Sequence, residues 1–224
     1  MINLELAEQL RTLLALLISY FPTTIAAGYG QAWVAKKCGD DTPQELGFLS
    51  FNPAVHFDIV GFIVLIFFGY GWGKMVPINP FSIHAPRRML KLGIIFLSPM
   101  VIHFILAVVA LFFLVLMGGF VFTSPTALAM PLGSSLFISL KFIVTRFMIL
   151  NIILAALFFA LGLARFLIVQ FASDADFYSR TSDVVFLILT ILFIWLVISY
   201  VQQFMFFLVI LIEWLINAIF GVLR

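Results

Sequence analysis

Few side chains in this chain could take part in acid–base or metal chemistry, since it has three histidines and one cysteine among 224 residues. His56 and Asp58 are candidate metal ligands, but a spacing of two suits an extended loop better than one face of a helix. We favour the alternative that both cap or hydrogen-bond the start of the next helix. The single Cys38 has no cysteine to pair with, so it gives no indication of redox compartment.

Two further histidines were considered as ligands. His103 lies in a long apolar run, where an ionisable residue is a functional hypothesis by default. We favour instead a neutral imidazole that bonds a backbone carbonyl. His84 lies in a loop and is expected to be solvated.

Charged residues also interrupt the apolar runs. Arg146 and Arg165 lie in the fourth run and Glu213 in the last, where a charge at mid-bilayer costs about 3 kcal/mol or more. The functional interpretation is that Arg165 or Glu213 pairs across helices or with a partner subunit. The alternative is that these side chains extend to the membrane interface.

The composition determines which elements must position these residues. Hydrophobic residues make up 64% of the chain and charged residues 10%, with a mean hydropathy of +1.23, whereas soluble domains carry about 25% charged residues. The sequence therefore predicts an integral membrane protein whose single transmembrane domain covers residues 1–224. Its basic residues form no stripe, so no nucleic-acid partner is expected.

Apolar runs of about 20 residues indicate membrane helices. Together they predict an all-α polytopic helical bundle of about six membrane segments. The shortest run could be a tilted span, a re-entrant segment or a buried helix, and the last is long enough for two helices or for one helix plus an interfacial piece. The runs cover residues 10–35, 59–72, 92–121, 136–171 and 184–223, and the polar stretch 172–183 between the last two is expected to be a loop. The basic loop at 74–91 favours the cytoplasmic side.

The order of several short motifs resembles a known family. Ala-Trp-Val-Ala occupies 32–35, Leu-Gly-Phe-Leu-Ser-Phe-Asn-Pro occupies 46–53, and Gly-Trp-Gly-Lys-Met-Val-Pro-Ile-Asn-Pro occupies 71–80. This series is similar to a prokaryotic branch of the site-2 proteases, the intramembrane zinc metalloproteases. The resemblance is dense over 26–107 and implies a site-2-protease-like helical core.

That resemblance also implies a zinc site, and the sequence departs from it. The family's His-Glu-x-x-His motif supplies two zinc ligands and a general base on one helix, and a later Leu-Asp-Gly element supplies an Asp. Alignment on residues 32–35 puts Ala27, Gly28 and Gln31 at the His, Glu and His positions. The stretch 150–163 contains no Leu-Asp-Gly. No zinc or other cofactor is therefore expected, and an enzymatic activity is not favoured.

Small residues at these positions suggest a structural role. Gly28 and Gly30 let neighbouring backbones approach closely in a membrane helix. We favour tight helix packing that closes the former active site. The alternative is that the vacated cavity holds a lipid or a small ligand.

The hypothesis that follows is a catalytically inactive, site-2-protease-like accessory subunit with a structural or regulatory role in a membrane complex. Its expected partners are the lipid bilayer and other membrane protein subunits. One alternative is a small transporter or channel that uses the former cavity. Another is an intramembrane metalloprotease with unorthodox ligands. The expected location is the prokaryotic cytoplasmic (inner) membrane or an organelle membrane of similar origin.

Overall fold

The computed structural model describes residues 4–119 and 132–196, and every regular element in these two ranges is a helix. The helices are α1 (Leu4–Cys38), α2 (Thr42–Glu45), α3 (Pro53–His56), α4 (Ile59–Phe68), α5 (Arg88–Leu116), α6 (Leu132–Phe171) and α7 (Ala175–Leu196). Most of the predicted run at 184–223, including Glu213, lies outside the described residues.

Three of these helices are long and apolar enough to cross a membrane. Within the described residues they are Gln9–Cys38, Arg88–Leu116 and Ile138–Phe171. The prediction of an all-helical membrane protein is confirmed at this level. The count of about six segments and the site-2-protease-like core stay predictions.

The three spans alternate in direction. Gln31 of α1 bonds the carbonyl of Ile95 near the start of α5. Asn151 of α6 bonds both His103 of α5 and Thr23 of α1. Together with the contact of Gly162 in α6 with Phe96 in α5, these bonds make α5 antiparallel to α1 and α6. The chain that joins α1 to α5 therefore begins and ends at the same end of the bundle.

The short run at 59–72 lies within that connection and forms a short helix after which the chain turns back. Its helix α4 has ten residues and is therefore about 15 Å long, half of the hydrocarbon thickness. Gly69 ends it in the left-handed conformation, with φ 77°. The chain then returns to its entry point, because Lys74 N donates to His56 O at 2.8 Å.

Two glycines allow the returning chain to lie directly against α4. A β-carbon at Gly61 would overlap the carbonyl oxygen of Trp72, and one at Gly71 would overlap that of Gly61. Tyr20 of α1 donates to Trp72 O at 2.9 Å. Non-helical backbone at membrane depth needs such internal partners, because lipid offers none.

One predicted loop is wrong. The polar stretch 172–183 was expected to be a loop, but α7 begins at Ala175. The Asp174 carboxylate accepts a hydrogen bond from Phe177 N at 2.7 Å. This side chain caps the helix N-terminus, so the polar residues form a first helical turn instead of a loop.

The chain divides into two compact units, residues 1–182 and 183–224. Of the second unit, the structure describes residues 183–196, which continue α7. The side chains considered below all belong to the first unit.

Candidate functional site

The inward face of α1 carries Ala27, Gly28 and Gln31, the three residues that the resemblance singled out. Ala27 is 6% exposed and Gln31 is 4% exposed. A separation of four residues places them on one face of the helix, one turn apart. The Gln31 side chain donates through Nε2 to the carbonyl of Ile95 at 3.2 Å. Gln31 thus joins α1 to α5 through its side-chain amide.

Gly28 is held against His56, the last residue of α3. A β-carbon at position 28 would overlap Nδ1 of His56. The imidazole is fully buried, and its Nε2 lies 2.8 Å from Ser50 O. Nδ1 has no hydrogen-bond partner among the described residues. The ring of His56 therefore occupies the space that any side chain at position 28 would need.

Asp58 does not share a site with His56. Its carboxylate accepts a hydrogen bond from Gly61 N at 2.6 Å and caps α4. His84 is exposed in its loop, with Nδ1 2.6 Å from Ser82 O. In the described part of the chain, no group of three or more His, Cys, Asp or Glu residues could hold a metal ion.

A buried polar chain joins all three spans beside Gln31. Asn151 Nδ2 donates to Thr23 Oγ1 at 3.0 Å and to Phe147 O at 2.9 Å. Because that amide nitrogen donates, Oδ1 is the acceptor for His103 Nδ1 at 2.9 Å, so Nδ1 of the histidine carries the proton. The expectation that His103 bonds a backbone carbonyl is wrong, since its partner is this side-chain amide.

A small cavity lies among these residues. It has a volume of about 20 Å³, which is room for roughly one water molecule. Ala27, Gly28, Gln31 and His103 contribute to its wall. The His103 side chain is 1% exposed, and its Nε2 has no hydrogen-bond partner among the described residues.

These donors do not fit zinc. Structural and catalytic zinc sites use at least three protein ligands from Cys, His, Asp and Glu. The described wall of the cavity offers one imidazole, His103, and no carboxylate that could act as a general base. The amide nitrogen of Gln31 is already a donor to Ile95. No hydrolytic step can be derived through a metal here.

The charged residues of α6 are held within the chain. Arg165 is 9% exposed and donates through Nε to the hydroxyl of Tyr178 in α7 at 3.0 Å. Its guanidinium also lies 5.2 Å from the ring centroid of Phe96. Arg146 lies 5.0 Å from the ring centroid of Phe142 in its own helix. Glu213, the other residue expected to pair across helices, lies outside the described residues.

Glycine contacts between the spans are as close as the contact of Gly28 with His56. A β-carbon at Gly30 would overlap Cδ1 of Ile102 in α5, and one at Gly162 of α6 would overlap the carbonyl oxygen of Phe96. Close backbone approach at small residues is how membrane helices gain contact in lipid. Of these glycines only Gly162 meets the backbone of another span, because Gly28 and Gly30 meet the side chains of His56 and Ile102.

Sequence reasoning missed the role of Asn151 and Thr23. Asn151 is an amide within the apolar run of α6, and such side chains often hydrogen-bond across membrane helices. That signal was available. Its partner Thr23 is 128 positions away, and nothing in the local sequence identifies it.

Comparison with known proteins gives a limited similarity. The chain is 37% identical over 89 residues to the "Putative zinc metalloprotease YwhC" of Bacillus subtilis (strain 168). This match spans 40% of the chain and 40% of the relative. No protein-family model and no solved structure matches the chain. The similarity supports a site-2-protease-like relationship over part of the sequence.

Proposed function

We propose that this chain is a site-2-protease-like membrane protein that lacks zinc-dependent proteolysis and serves as a structural or regulatory subunit of a membrane complex. The similarity to a protein named as a zinc metalloprotease supports the relationship. Ala27, Gly28 and Gln31, at the positions where the family has two ligands and a base, support the loss of activity.

The observation that carries the proposal is the contact between Gly28 and His56. The His56 ring lies where a side chain at position 28 would begin, so a general base could not be accommodated there without moving a fully buried imidazole. The packing has adapted to the absence of the base. This argues against an active enzyme in which one ligand has simply been exchanged for another.

The size of the cavity supports the same proposal. Sites for small molecules usually enclose about 300–1,000 Å³, and a protease must also admit a peptide bond and a water molecule. The space beside Gln31 and His103 is about 20 Å³. The same closure gives little support to a transport pathway or to a lipid in the former cavity.

The proposed accessory role rests on the exposed apolar surface of the helices, which does not depend on catalysis. The described part of α5 presents a lipid-facing side of large apolar residues, including Phe104, Val108 and Phe112, each exposed by 47% or more. Such a surface can pack against lipid or against the helices of other subunits. A protein that keeps its helical scaffold without its chemistry is suited to hold or orient a partner.

The test is a parallel measurement of metal and partners. The full chain, tagged and purified in mild detergent, is analysed for zinc by elemental mass spectrometry and for co-purifying proteins by peptide mass spectrometry. We expect zinc far below one atom per chain, together with membrane proteins in stoichiometric amounts. The Bacillus relative, purified in the same way, serves as the comparison for metal content.

Two results would overturn parts of the proposal separately. One zinc per chain that disappears in a His103→Ala variant would mean that a metal site exists with unorthodox ligands. A chain without zinc that purifies alone under conditions that preserve membrane complexes would remove the accessory role, while the loss of catalysis would stand.

A further inference from the structure

A surface groove of about 470 Å³ lies beside the C-terminal part of α1. We call it the interfacial groove. It is lined by Tyr29, Trp33, Lys36 and Lys37 of α1 and by residues of the segment 44–50 that follows. No proposed role of the chain so far uses these residues.

The α1 residues of the groove share one face of the helix, and their side chains change from aromatic to positively charged along it. Positions 29, 33, 36 and 37 follow the spacing i, i+4, i+7, i+8 of a single helical stripe. The helix rises about 12 Å between Tyr29 and Lys37. The stripe begins with two aromatic rings, Tyr29 and Trp33, and ends with two ammonium groups.

The apolar end of the groove is organised by ring contacts. The ring of Tyr29 stacks on Phe51, with centroids 4.6 Å apart and planes at 13°. Trp33 is 49% exposed. Aromatic residues of this kind are enriched where a membrane helix meets the headgroup region, which agrees with the end of this candidate span at Cys38.

The other end carries uncompensated positive charge. Lys36 and Lys37 are exposed, and neither forms an ion pair with a carboxylate of the described residues, while the ammonium of Lys37 lies 5.7 Å from the Trp33 ring centroid. The nearby Asp40 is fully buried, and its carboxylate accepts from Thr42 N and Asn79 N.

The backbone at this end does not oppose an anion. The last carbonyls of a helix carry partial negative charge, but Ala35 O accepts from Asp40 N at 3.0 Å and Lys36 O accepts from Gly39 N at 3.1 Å. Asp41 precedes α2 and Glu45 is its last residue, yet neither lines the groove. An anion beside the two lysines would therefore meet ammonium groups and the exposed amide of Gln44.

We propose that the interfacial groove binds an anionic phospholipid, with the phosphate beside Lys36 and Lys37 and the start of an acyl chain beside Tyr29 and Trp33. The order of chemistry along the groove, from aromatic to cationic over about 12 Å, matches the order from acyl chain to phosphate in a lipid. Basic residues immediately beyond a membrane span attract anionic headgroups. This proposal is independent of the fate of the former zinc site.

Lipid binding is measured on the full chain in detergent by native mass spectrometry. The probes are dioleoyl phosphatidylglycerol, dioleoyl phosphatidylcholine and inorganic phosphate. We expect tighter binding of phosphatidylglycerol than of phosphatidylcholine. Each basic residue near an anionic membrane surface strengthens the binding constant roughly fivefold. Lys36→Gln combined with Lys37→Gln should therefore weaken phosphatidylglycerol binding by roughly 25-fold.

Two further variants make the test specific. Arg87→Gln combined with Lys91→Gln removes an equal number of positive charges, but at the start of α5. Phosphatidylglycerol binding should stay within about twofold of that of the natural chain, because neither residue lines the groove. Trp33→Ala should weaken phosphatidylglycerol binding without changing any response to inorganic phosphate. Thermal unfolding of each variant establishes that it is folded.

Several outcomes would overturn the proposal. Equal binding of the two lipids, or equal losses in the two double variants, would mean that the groove has no specific site for an anionic headgroup. Displacement of phosphatidylglycerol by inorganic phosphate at similar concentration would assign the lysines to a soluble anion. A stoichiometric protein that is released by the Lys36 and Lys37 changes, with no lipid effect, would assign the groove to a partner chain.

Discussion

Two faces of one stretch of α1, residues 27–37, differ in almost every physical property. The inner face carries Ala27, Gly28 and Gln31 around a cavity of about 20 Å³. The outer face carries aromatic rings and lysines along a groove of about 470 Å³. The inner face leaves room for roughly one water molecule, and the outer face is open. Substitutions on the inner face should therefore change stability, and those on the outer face should change binding.

The largest effect is expected for Gly28→Ala on the inner face. The added β-carbon would overlap His56 Nδ1, and we expect a loss of about 2 kcal/mol, within the range for overpacking of a well-packed core. The measurement is the free energy of unfolding in detergent. Gly93→Ala is the matched control, because its β-carbon would meet only Phe166 at 3.8 Å and alanine favours helix. It should be neutral or slightly stabilising.

The cause of the Gly28 effect is tested by removing the ring that it meets. In a His56→Ala background, Gly28→Ala should cost at least about 1 kcal/mol less than in the natural chain, because contacting residues couple by 0.5–3 kcal/mol. Additive effects of the two substitutions would contradict the contact. They would also remove the main support for a permanently closed site.

A smaller loss is expected for Asn151→Leu, which removes the centre of the polar chain. It leaves His103 Nδ1 and Thr23 Oγ1 without their interhelical partner. We expect a loss of about 1.5 kcal/mol, near the upper end for hydrogen bonds between membrane helices, measured by unfolding in detergent. Ser19→Ala is the control, since Ser19 bonds only Ala15 O of its own helix. Equal effects would mean that the polar chain does not tie the spans together.

The smallest effect on stability is expected on the outer face. Lys36→Gln combined with Lys37→Gln should change the free energy of unfolding by less than about 0.5 kcal/mol in detergent without anionic lipid, because these side chains are exposed. Added phosphatidylglycerol should stabilise the natural chain more than this variant, as ligand linkage requires. A large loss without lipid would make the lysines structural and end the contrast between the two faces.

The sequence was a good guide to the elements that composition controls. The apolar runs at 10–35, 92–121 and 136–171 correspond to the three observed spans, because a bilayer imposes both length and apolarity on a helix. The run at 59–72 left three alternatives, and the hydrogen bond from Lys74 N to His56 O shows that the chain turns back after α4, which favours the re-entrant one. Length alone cannot tell a short buried helix from a returning chain.

The candidate site was less predictable, because its contacts join distant residues. The resemblance singled out positions 27, 28 and 31. The residue types there, Ala, Gly and Gln, are not the usual zinc ligands. The resemblance could not reveal that His56 fills the space beside Gly28, or that Asn151 links His103 to Thr23. The prediction of a polar loop at 172–183 was wrong for a local reason. Asp174 is a residue type that occurs both in loops and as the cap at the start of a helix.

By itself, the sequence determined that this is a membrane protein of apolar helices and that its α1 lacks the side chains of a zinc protease. These properties follow from residue type and from the cost of exposing polar groups to lipid. Only the tertiary structure decided that the space beside Gly28 and Gln31 is closed to about 20 Å³, and that the other face of α1 forms an open groove with exposed lysines. Closure depends on which distant side chain meets Gly28, and folding alone brings those residues together.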